Sequence, residues 1–383
     1  MVVGSGTRFL SGISVYTVRL ANAFAERGYR SSLITMRQLL PARFYPGRVR
    51  VGASLTKLGH DPDVAKFDGV DWYWLPSLAR AAWFLLRQRP DVVIFQWWTG
   101  TVLHTYIALA LLTRLLGGRV VIEFHEVLDT GEVNIPLAHA YVRTFAPLLM
   151  GLANGFAVHS QFDREAVGKT WRLGRRRPIK VLPHGPHDHY RAESGGQPLR
   201  ESPPGVVNLL FFGVIRPFKG LEHLVTAFET LPEADCEKFW LTVVGETWEG
   251  WTLPGEQIAR SPRRDRITFV NRYVSDDELD GYLRGADAVV LPYLRSSLSG
   301  PLHVAMGYGL PIVMSDVGGN PEAAEGYEGV VLVEPGKPDA LQAAIRGLPD
   351  LAARRYSHPS SWRQTVEAYE ELLADLGGKQ LQQ

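Results

Sequence analysis

Short apolar runs alternate with amphipathic helical stretches along the whole sequence, a pattern that restricts the chain to parallel sheets covered by helices on both faces. Asp91-Val-Val-Ile-Phe-Gln96 and Arg119-Val-Val-Ile-Glu-Phe124 are nearly continuous apolar runs, as strands buried on both sides require. Residues 155–159 and 179–182 read as two more strands, and residues 31–35 as a short one. Residues 18–27 read as a helix, with Leu20, Ala23 and Phe24 on one side and Gly28 at its end. A doubly wound sheet of about six strands is expected for this half. Only Val2 and Val3 precede Gly4, fewer than the roughly 5–6 residues of an ordinary strand, so a native start further upstream is expected.

Near residue 187 the composition changes. Residues 187–206 are polar and rich in Gly, Pro and Ser, and read as a linker. A second alternating series follows, with strands over residues 207–212, 240–244, 267–270, 288–291 and 311–314, separated by helices such as 221–230 and 276–285. The expected organisation is a first Rossmann-like domain over 1–186, the linker, a second over 207–360, and a final helix over 361–383 that crosses back to the first domain. Ser360 or Ser361 caps that helix and Gly377-Gly378 ends it. The size agrees, since 383 residues exceed what one hydrophobic core usually serves. Two such halves face each other across a cleft, and ligands of these sheets bind beyond the carboxyl ends of the strands.

Charge and cysteine content narrow the classes. With 41 basic and 40 acidic residues the formal charge is +1, which gives no electrostatic reason to expect nucleic acid. The single cysteine, Cys236, can form no internal disulfide and no CxxC pair exists for zinc, so a reducing, cytoplasmic setting is expected. The longest apolar stretch, residues 101–116, is interrupted by His104 and Arg114 and reads as a buried helix rather than a membrane span. The N-terminus shows no charged region followed by an apolar core and cleavage site.

Three strand-to-helix turns carry the candidate chemistry. Residues 4–14 (GSGTRFLSGIS) can bring backbone amides to an anion at a helix start, and equally suit a turn needed only for packing. Their spacing is not GxGxxG, and no acidic residue near Thr35 is placed to take a ribose, which disfavours a dinucleotide. Residues 211–220 (FFGVIRPFKG) place Arg216 and Lys219 three apart at a helix start, a natural clamp for a diphosphate. Residues 291–301 (LPYLRSSLSGP) put small residues before a helix, where exposed N–H groups can hold phosphate or sugar hydroxyls.

The strings SGISVYTVRLANAFAERGYRSSLIT, GVIRPFKGLEHLVTAF, RYVSDDELDGYLRGADAVVLPY and SGPLHVAMGYGLPIVMSDVGGNPE, in that order, resemble the GT-B glycosyltransferases of family four, over about residues 4–345. The resemblance implies two Rossmann-like domains across a cleft and retaining transfer from a nucleotide-diphosphate sugar, with no metal or other cofactor. It implies a glycan or lipid-linked acceptor, the first domain on the acceptor side and the second on the donor side. Gly12 would approach the donor diphosphate through its amide, Arg216 and Lys219 would neutralise it, and His125 would lie beside the transferred sugar. Ser296, Ser297, Ser299, Gly300 and Arg272 would complete donor binding. One departure stands out: the two glutamates that the family carries around the last turn are here Ser296 and Val304. Two rival classes therefore stay open, a paralogue that binds a nucleotide sugar without turning it over, and a sugar-nucleotide epimerase.

Other features have competing explanations. His184, His187 and His189 with Asp188 superficially resemble a metal cluster, but lack the spacing of ligands on one helical face. Glu126 and Asp129 suit acid–base chemistry or a solvated loop, and Asp163 and Glu165 the capped start of a helix. Arg172, Arg175, Arg176, Arg177 and Lys180 beside Trp171 form either a solvated face or a peripheral contact with anionic headgroups. Trp72, Tyr73, Trp74, Trp83, Trp97 and Trp98 suit an acceptor surface and a core equally well.

Overall fold

The computed structural model describes residues 1–6, 12–38, 58–71, 75–127, 136–171, 173, 177–187, 196–248, 250–297 and 299–377. The chain divides into two compact units, Met1–Gly185 with the segment from Ser360 onward, and Pro186–Pro359.

The first unit is built on a parallel sheet of β1 (Val2–Ser5), β2 (Ser32–Gln38), β3 (Ala65–Asp71), β4 (Val92–Trp97), β5 (Arg119–Phe124), β6 (Gly155–Val158) and β7 (Ile179–Val181). Their order is β3-β2-β1-β4-β5-β6-β7. All six residues of β4 and the last five of β5 are buried, because helices cover both faces. On one face α2 (Leu75–Gln88), α3 (Leu103–Leu115), α4 (Pro136–Leu152) and α5 (Gln161–Thr170) enclose a core that includes Leu85, Phe95, Tyr106, Ile122, Leu149 and Val167. On the other, α1 (Gly12–Glu26) meets the last helix, which we label α9 (Trp362–Asp375), and Leu20 and Phe24 share a core with Tyr369 and Leu372. Ser361 caps α9 in a capping box with Gln364, and the Thr365 hydroxyl donates to the Pro183 carbonyl over 2.9 Å.

The second unit repeats the plan with β8 (Val207–Phe212), β9 (Phe239–Val244), β10 (Ile267–Val270), β11 (Ala288–Leu291), β12 (Ile312–Ser315) and β13 (Val330–Val333), ordered β10-β9-β8-β11-β12-β13. In both sheets the winding reverses once, between β1 and β4 and between β8 and β11. A crevice at the carboxyl ends of such strands is the binding place of this architecture. Helices α6 (Leu221–Glu229), α7 (Asp276–Gly285) and α8 (Gly300–Gly307) follow β8, β10 and β11.

The structure corrects several sequence expectations. The first sheet has seven strands rather than six; β3 escapes the pattern because Ala65-Lys-Phe-Asp-Gly-Val-Asp71 is an edge strand carrying charges and a glycine with φ +134°. β13 is likewise an additional edge strand. Helix α1 starts at Gly12, six residues earlier than its apolar side alone predicts, and ends as expected at Gly28 with φ +92°. The stretch 101–116 is not a buried helix: α3 hides one side and leaves Leu115 75% exposed. Residues 196–206 do not hang loose. Leu199 donates its N–H to the Gly281 carbonyl over 2.8 Å, and a Cβ on Gly285 would lie 2.2 Å from the Leu199 carbonyl oxygen. Two missing side chains on α7 thus admit a segment whose polar composition reads as a linker.

Candidate functional site

At the reversal point of the second sheet, β8 runs through Gly213 (φ +104°) to Arg216, which is extended and leads a tight turn over Pro217–Lys219. Gly220 then adopts the left-handed conformation (φ +63°) and opens α6. Only glycine fits there, since a Cβ would sit 2.1 Å from the Pro292 carbonyl oxygen just beyond β11. The Leu294 N–H donates to the Phe218 carbonyl over 2.9 Å, so the two turns are joined. Around the Phe218 ring stand three cations: the guanidinium carbons of Arg216 and Arg295 at 5.0 and 5.1 Å and the Lys219 ammonium at 5.4 Å. Lys219 also lies 3.8 Å from the centre of the Tyr293 ring. The cations stand over the ring faces, where the aromatic quadrupole attracts them.

The same turn leads into α8. Ser299 caps it, its hydroxyl accepting the Leu302 N–H over 3.2 Å, and Gly300 is its first residue. Ser296 is buried and its carbonyl accepts the Gly319 N–H over 3.3 Å, whereas Ser297 is half-buried. Three positive charges and a helix N-terminus at adjacent strand ends are an arrangement that suits a polyanion electrostatically. Arg272 does not join them. It lies just past β10, the edge strand of the sheet, and its guanidinium meets Glu278 at 2.6 and 3.0 Å, bracing the capped start of α7. Val304 is buried in the core beneath α8, so no side chain there reaches a ligand.

The reversal point of the first sheet is a polar network inside the protein. Gly4 lets β1 pass close to Thr17 and Gln96; a Cβ there would lie 2.5 Å from the Thr17 hydroxyl. Gly12 begins α1 and is exposed. Glu123, in the middle of this half, is fully buried. Its Oε1 accepts the Tyr16 hydroxyl over 2.7 Å and lies 3.3 Å from His159 Nε2, and its Oε2 accepts Gln96 Nε2 over 2.5 Å. Gln96 Oε1 in turn faces His125 Nε2. This chain of bonds sets protons. An ionised carboxylate only accepts, so the Gln96 amide must turn its N–H₂ to Glu123 and its oxygen to His125; His125 Nε2 therefore carries a hydrogen.

Desolvation works to raise the Glu123 pKa, but the close approach of His159, the charges of His159 and His125, and Tyr369 outweigh it and hold the carboxyl at about 2. Burial first, then the Glu123 charge, pushes the Tyr16 hydroxyl well above its ordinary value. The His125, His159 and His184 rings pack around Tyr16 at 4.8, 5.4 and 4.6 Å. Glu123, His125 and His159 also present donor atoms within 4.8 Å of one another, close enough to hold a metal ion. An ion there would have to displace the bonds from Tyr16 and Gln96. Of this network, the sequence singled out only His125. Glu123, Gln96, Tyr16 and His159 were missed, although a glutamate and a glutamine inside otherwise apolar central strands were the available signal.

The remaining candidates disperse. His184 lies in the first unit, its Nδ1 2.7 Å from the Gly185 carbonyl oxygen, while His187 is buried in the second, stacked 6.4 Å from His303. Asp188 and His189 lie outside the described residues, as do Asp129, Trp72, Tyr73, Trp74, Arg172, Arg175 and Arg176. Glu126 is half-buried. Ser160 caps α5 by accepting the Asp163 N–H over 3.0 Å. Arg177 caps the end of α4 through the Met150 and Gly151 carbonyls, and Lys180 pairs with Glu371 at 2.6 Å. Trp97 is core, packed edge-on against Trp171 at 6.1 Å; Trp98 is half-buried and Trp83 exposed.

Burial, and secondarily the charge of His358, lower the His187 pKa from 6.5 to about 4. Its contribution to stability is therefore complete above pH 6.5 and lost as the pH falls from there toward 4. Moving from pH 8 to pH 5 is expected to cost about 2 kcal/mol through this residue. Urea unfolding at the two pH values checks it, and in His187→Gln this part of the dependence should vanish.

The sequence pattern of the family described as Glycosyltransferase Family 4 matches residues 10–187, and that described as Glycosyl transferases group 1 matches residues 207–350. The O-antigen chain mannosyltransferase B of Escherichia coli is 28% identical over 180 residues, 43% of this chain and 45% of that protein. The MMP alpha-(1->4)-mannosyltransferase of Mycolicibacterium hassiacum is 31% identical over 175 residues, 41% of each. The GDP-mannose:glycolipid 4-beta-D-mannosyltransferase of Xanthomonas campestris pv. campestris is 30% identical over 181 residues, 44% of this chain and 50% of that protein. The chain thus matches about half the length of these curated relatives. Among solved structures, a glycosyltransferase from Rickettsia africae superposes with a TM-score of 0.64 at 13% identity, covering 97% of this chain and 98% of that one. The sucrose-phosphate synthase of Thermosynechococcus elongatus superposes with a TM-score of 0.62 at 17% identity, covering 98% and 96%. Identities this low establish the fold. Family patterns over both halves and the shared fold together show that the chain belongs to the GT-B glycosyltransferases of family 4, group 1.

Proposed function

We propose that the chain moves a hexose from a nucleotide-diphosphate sugar to a glycan or lipid-linked acceptor, with retention of configuration and without a metal, on the inner side of the membrane. The observation that carries this reading is the gathering of Arg216, Lys219 and Arg295 around Phe218 beside the start of α8. In the transfer, the bond between the anomeric carbon and the diphosphate oxygen breaks. A bond to the acceptor oxygen forms, and the acceptor's proton is released. Negative charge builds on the departing diphosphate, and fixed cations stabilise it where it appears. His125, with its Nε2 hydrogen held by Gln96, is the residue this reading places beside the transferred sugar. The named relatives support a sugar transfer, one of them from GDP-mannose to a glycolipid. A related fold from Anabaena was solved with UDP and glucose, at 16% identity and a TM-score of 0.59 over 98% of both chains.

A second reading, binding without turnover, is favoured by one observation: serine and buried valine stand at the two positions where the family carries glutamates. The experiment separates the two. UDP, GDP, ADP and TDP are screened in EDTA for thermal stabilisation, and the matching nucleotide at about 100 times its Kd should add about 2.7 kcal/mol. Nucleotide release from the matching sugar donor then supports transfer. Stabilisation without release supports the binder, and stabilisation by none of the four rejects both.

A further inference from the structure

Three helices of the first unit are apolar on both sides. Toward the sheet, α2, α3 and α4 bury residues such as Leu85, Leu109 and Leu149. Away from it, α2 repeats Leu75, Trp83 and Leu86 at helical spacing, with Trp83 65% exposed. α3 carries exposed Leu111 and Leu115, and α4 carries Leu137, Phe145 and Leu148, with Leu137 84% exposed. α3 packs against both α2 and α4, so the three outward stripes are neighbours. Helices that face water carry polar residues on that side; a contiguous apolar patch instead marks a surface that meets something.

Charge decides what it meets. The sequences of α2, α3 and α4 contain no Asp or Glu, although the chain has 40 such residues. Arg80, Arg87, Arg114 and Arg143 are exposed on them. The opposite face of the same sheet is different: α1 and α9 bring Glu26, Glu367, Glu370, Glu371 and Asp375. A second copy docking through the same patch on both partners would press arginine against arginine as water leaves. An anionic bilayer has no such conflict. Leucine, phenylalanine and tryptophan enter the boundary between headgroups and chains, and arginines keep their stems in it with their guanidinium groups among the phosphates.

We propose that the outward face of α2, α3 and α4 docks the protein on an anionic lipid surface. Among the described residues no helix is long and apolar enough to cross a membrane, so the contact is peripheral. Of the 172–180 stretch, the described cations Arg177 and Lys180 are engaged within the fold. The proposal is independent of the transfer reading, because vesicle binding needs neither donor nor acceptor.

The test is co-sedimentation of the full chain with vesicles of neutral lipid, with and without about 30% anionic lipid, at low and moderate salt. Wild type should pellet with the anionic vesicles and dissociate as salt rises. The triple variant Trp83→Glu, Leu115→Glu, Phe145→Glu should lose at least about tenfold in apparent affinity, with an unchanged circular dichroism spectrum. Since three changes could disturb folding, Arg80→Gln with Arg87→Gln and Arg143→Gln serves as a second variant and should weaken binding to anionic vesicles only. Wild type that stays in the supernatant, binding indifferent to anionic lipid, or folded variants that pellet like wild type would each overturn the proposal. So would a wild-type dimer in sedimentation velocity that the triple variant splits, since the occupant would then be a second copy.

Discussion

Arg216→Ala is expected to lower kcat/KM for the nucleotide-sugar donor by about 10²- to 10³-fold, the usual result of deleting one fixed donor that meets charge developing in a transition state. The guanidinium can meet a phosphate with two parallel hydrogen bonds, and the turn that presents it is locked by Gly220 against Pro292 and by the Leu294–Phe218 hydrogen bond. Arg216→Lys should recover only part of the loss, because a point charge replaces a planar fork. Arg295→Ala separates this site from a simple two-residue clamp: if three cations share the anion, it too should cost about tenfold or more. The split between constants is informative. A loss confined to kcat means the contact strengthens as the leaving diphosphate charges, whereas a loss confined to KM means equal binding throughout. A melting temperature within a degree or two of wild type would show that the fold is intact, and kcat/KM reduced less than threefold would remove the site from consideration.

The second large effect concerns stability. Glu123 is fully buried and its carboxyl is held at about 2 rather than the ordinary 4.5. Its folded pKa lies below its unfolded one, so its contribution is complete above pH 4.5 and is lost as the pH falls from 4.5 toward 2. The shift corresponds to about 3 kcal/mol. Glu123→Ala should cost about 3–5 kcal/mol at pH 7, since it removes the acceptor shared by Tyr16 and Gln96 and the carboxylate beside His159, and leaves their polar groups buried. Glu123→Gln keeps the volume and should still be destabilised, while losing the pH dependence between 4.5 and 2. Urea unfolding followed by fluorescence and circular dichroism checks both variants. An unchanged midpoint in Glu123→Ala would mean that the network contributes nothing, and the orientation assigned to Gln96 and His125 would lose its support.

These two predictions rest on residues that differ in how visible they were. Arg216 and Lys219 lie three apart on a strand-to-helix turn, and such spacing is a property of one short window. Arg295 sat inside a string already quoted for its small residues, yet nothing local links it to Arg216. The link is made by β8 and β11 being neighbours in the sheet, although β9 and β10 lie between them in sequence. Arg272 illustrates the reverse case: a cation within a family-like string that folds at a sheet edge, onto Glu278. The capped start of α5, the serine cap of α9 and the glycine end of α1 were all legible, because each depends on residues within a few positions of one another.

Sequence alone determined the class of fold, the two halves with their parallel strands, the family, and the cationic turn after β8. Each is set by hydrophobic period, capping or motif spacing over a handful of residues. Tertiary structure decided what meets at the sheet centres: Tyr16, Gln96, Glu123, His125 and His159 converge from four strands or helices, and α9 closes the face opposite α2, α3 and α4. The physical reason is that strand order fixes which distant side chains share a buried volume. The free energy of a buried carboxylate depends on those partners rather than on its neighbours in the chain.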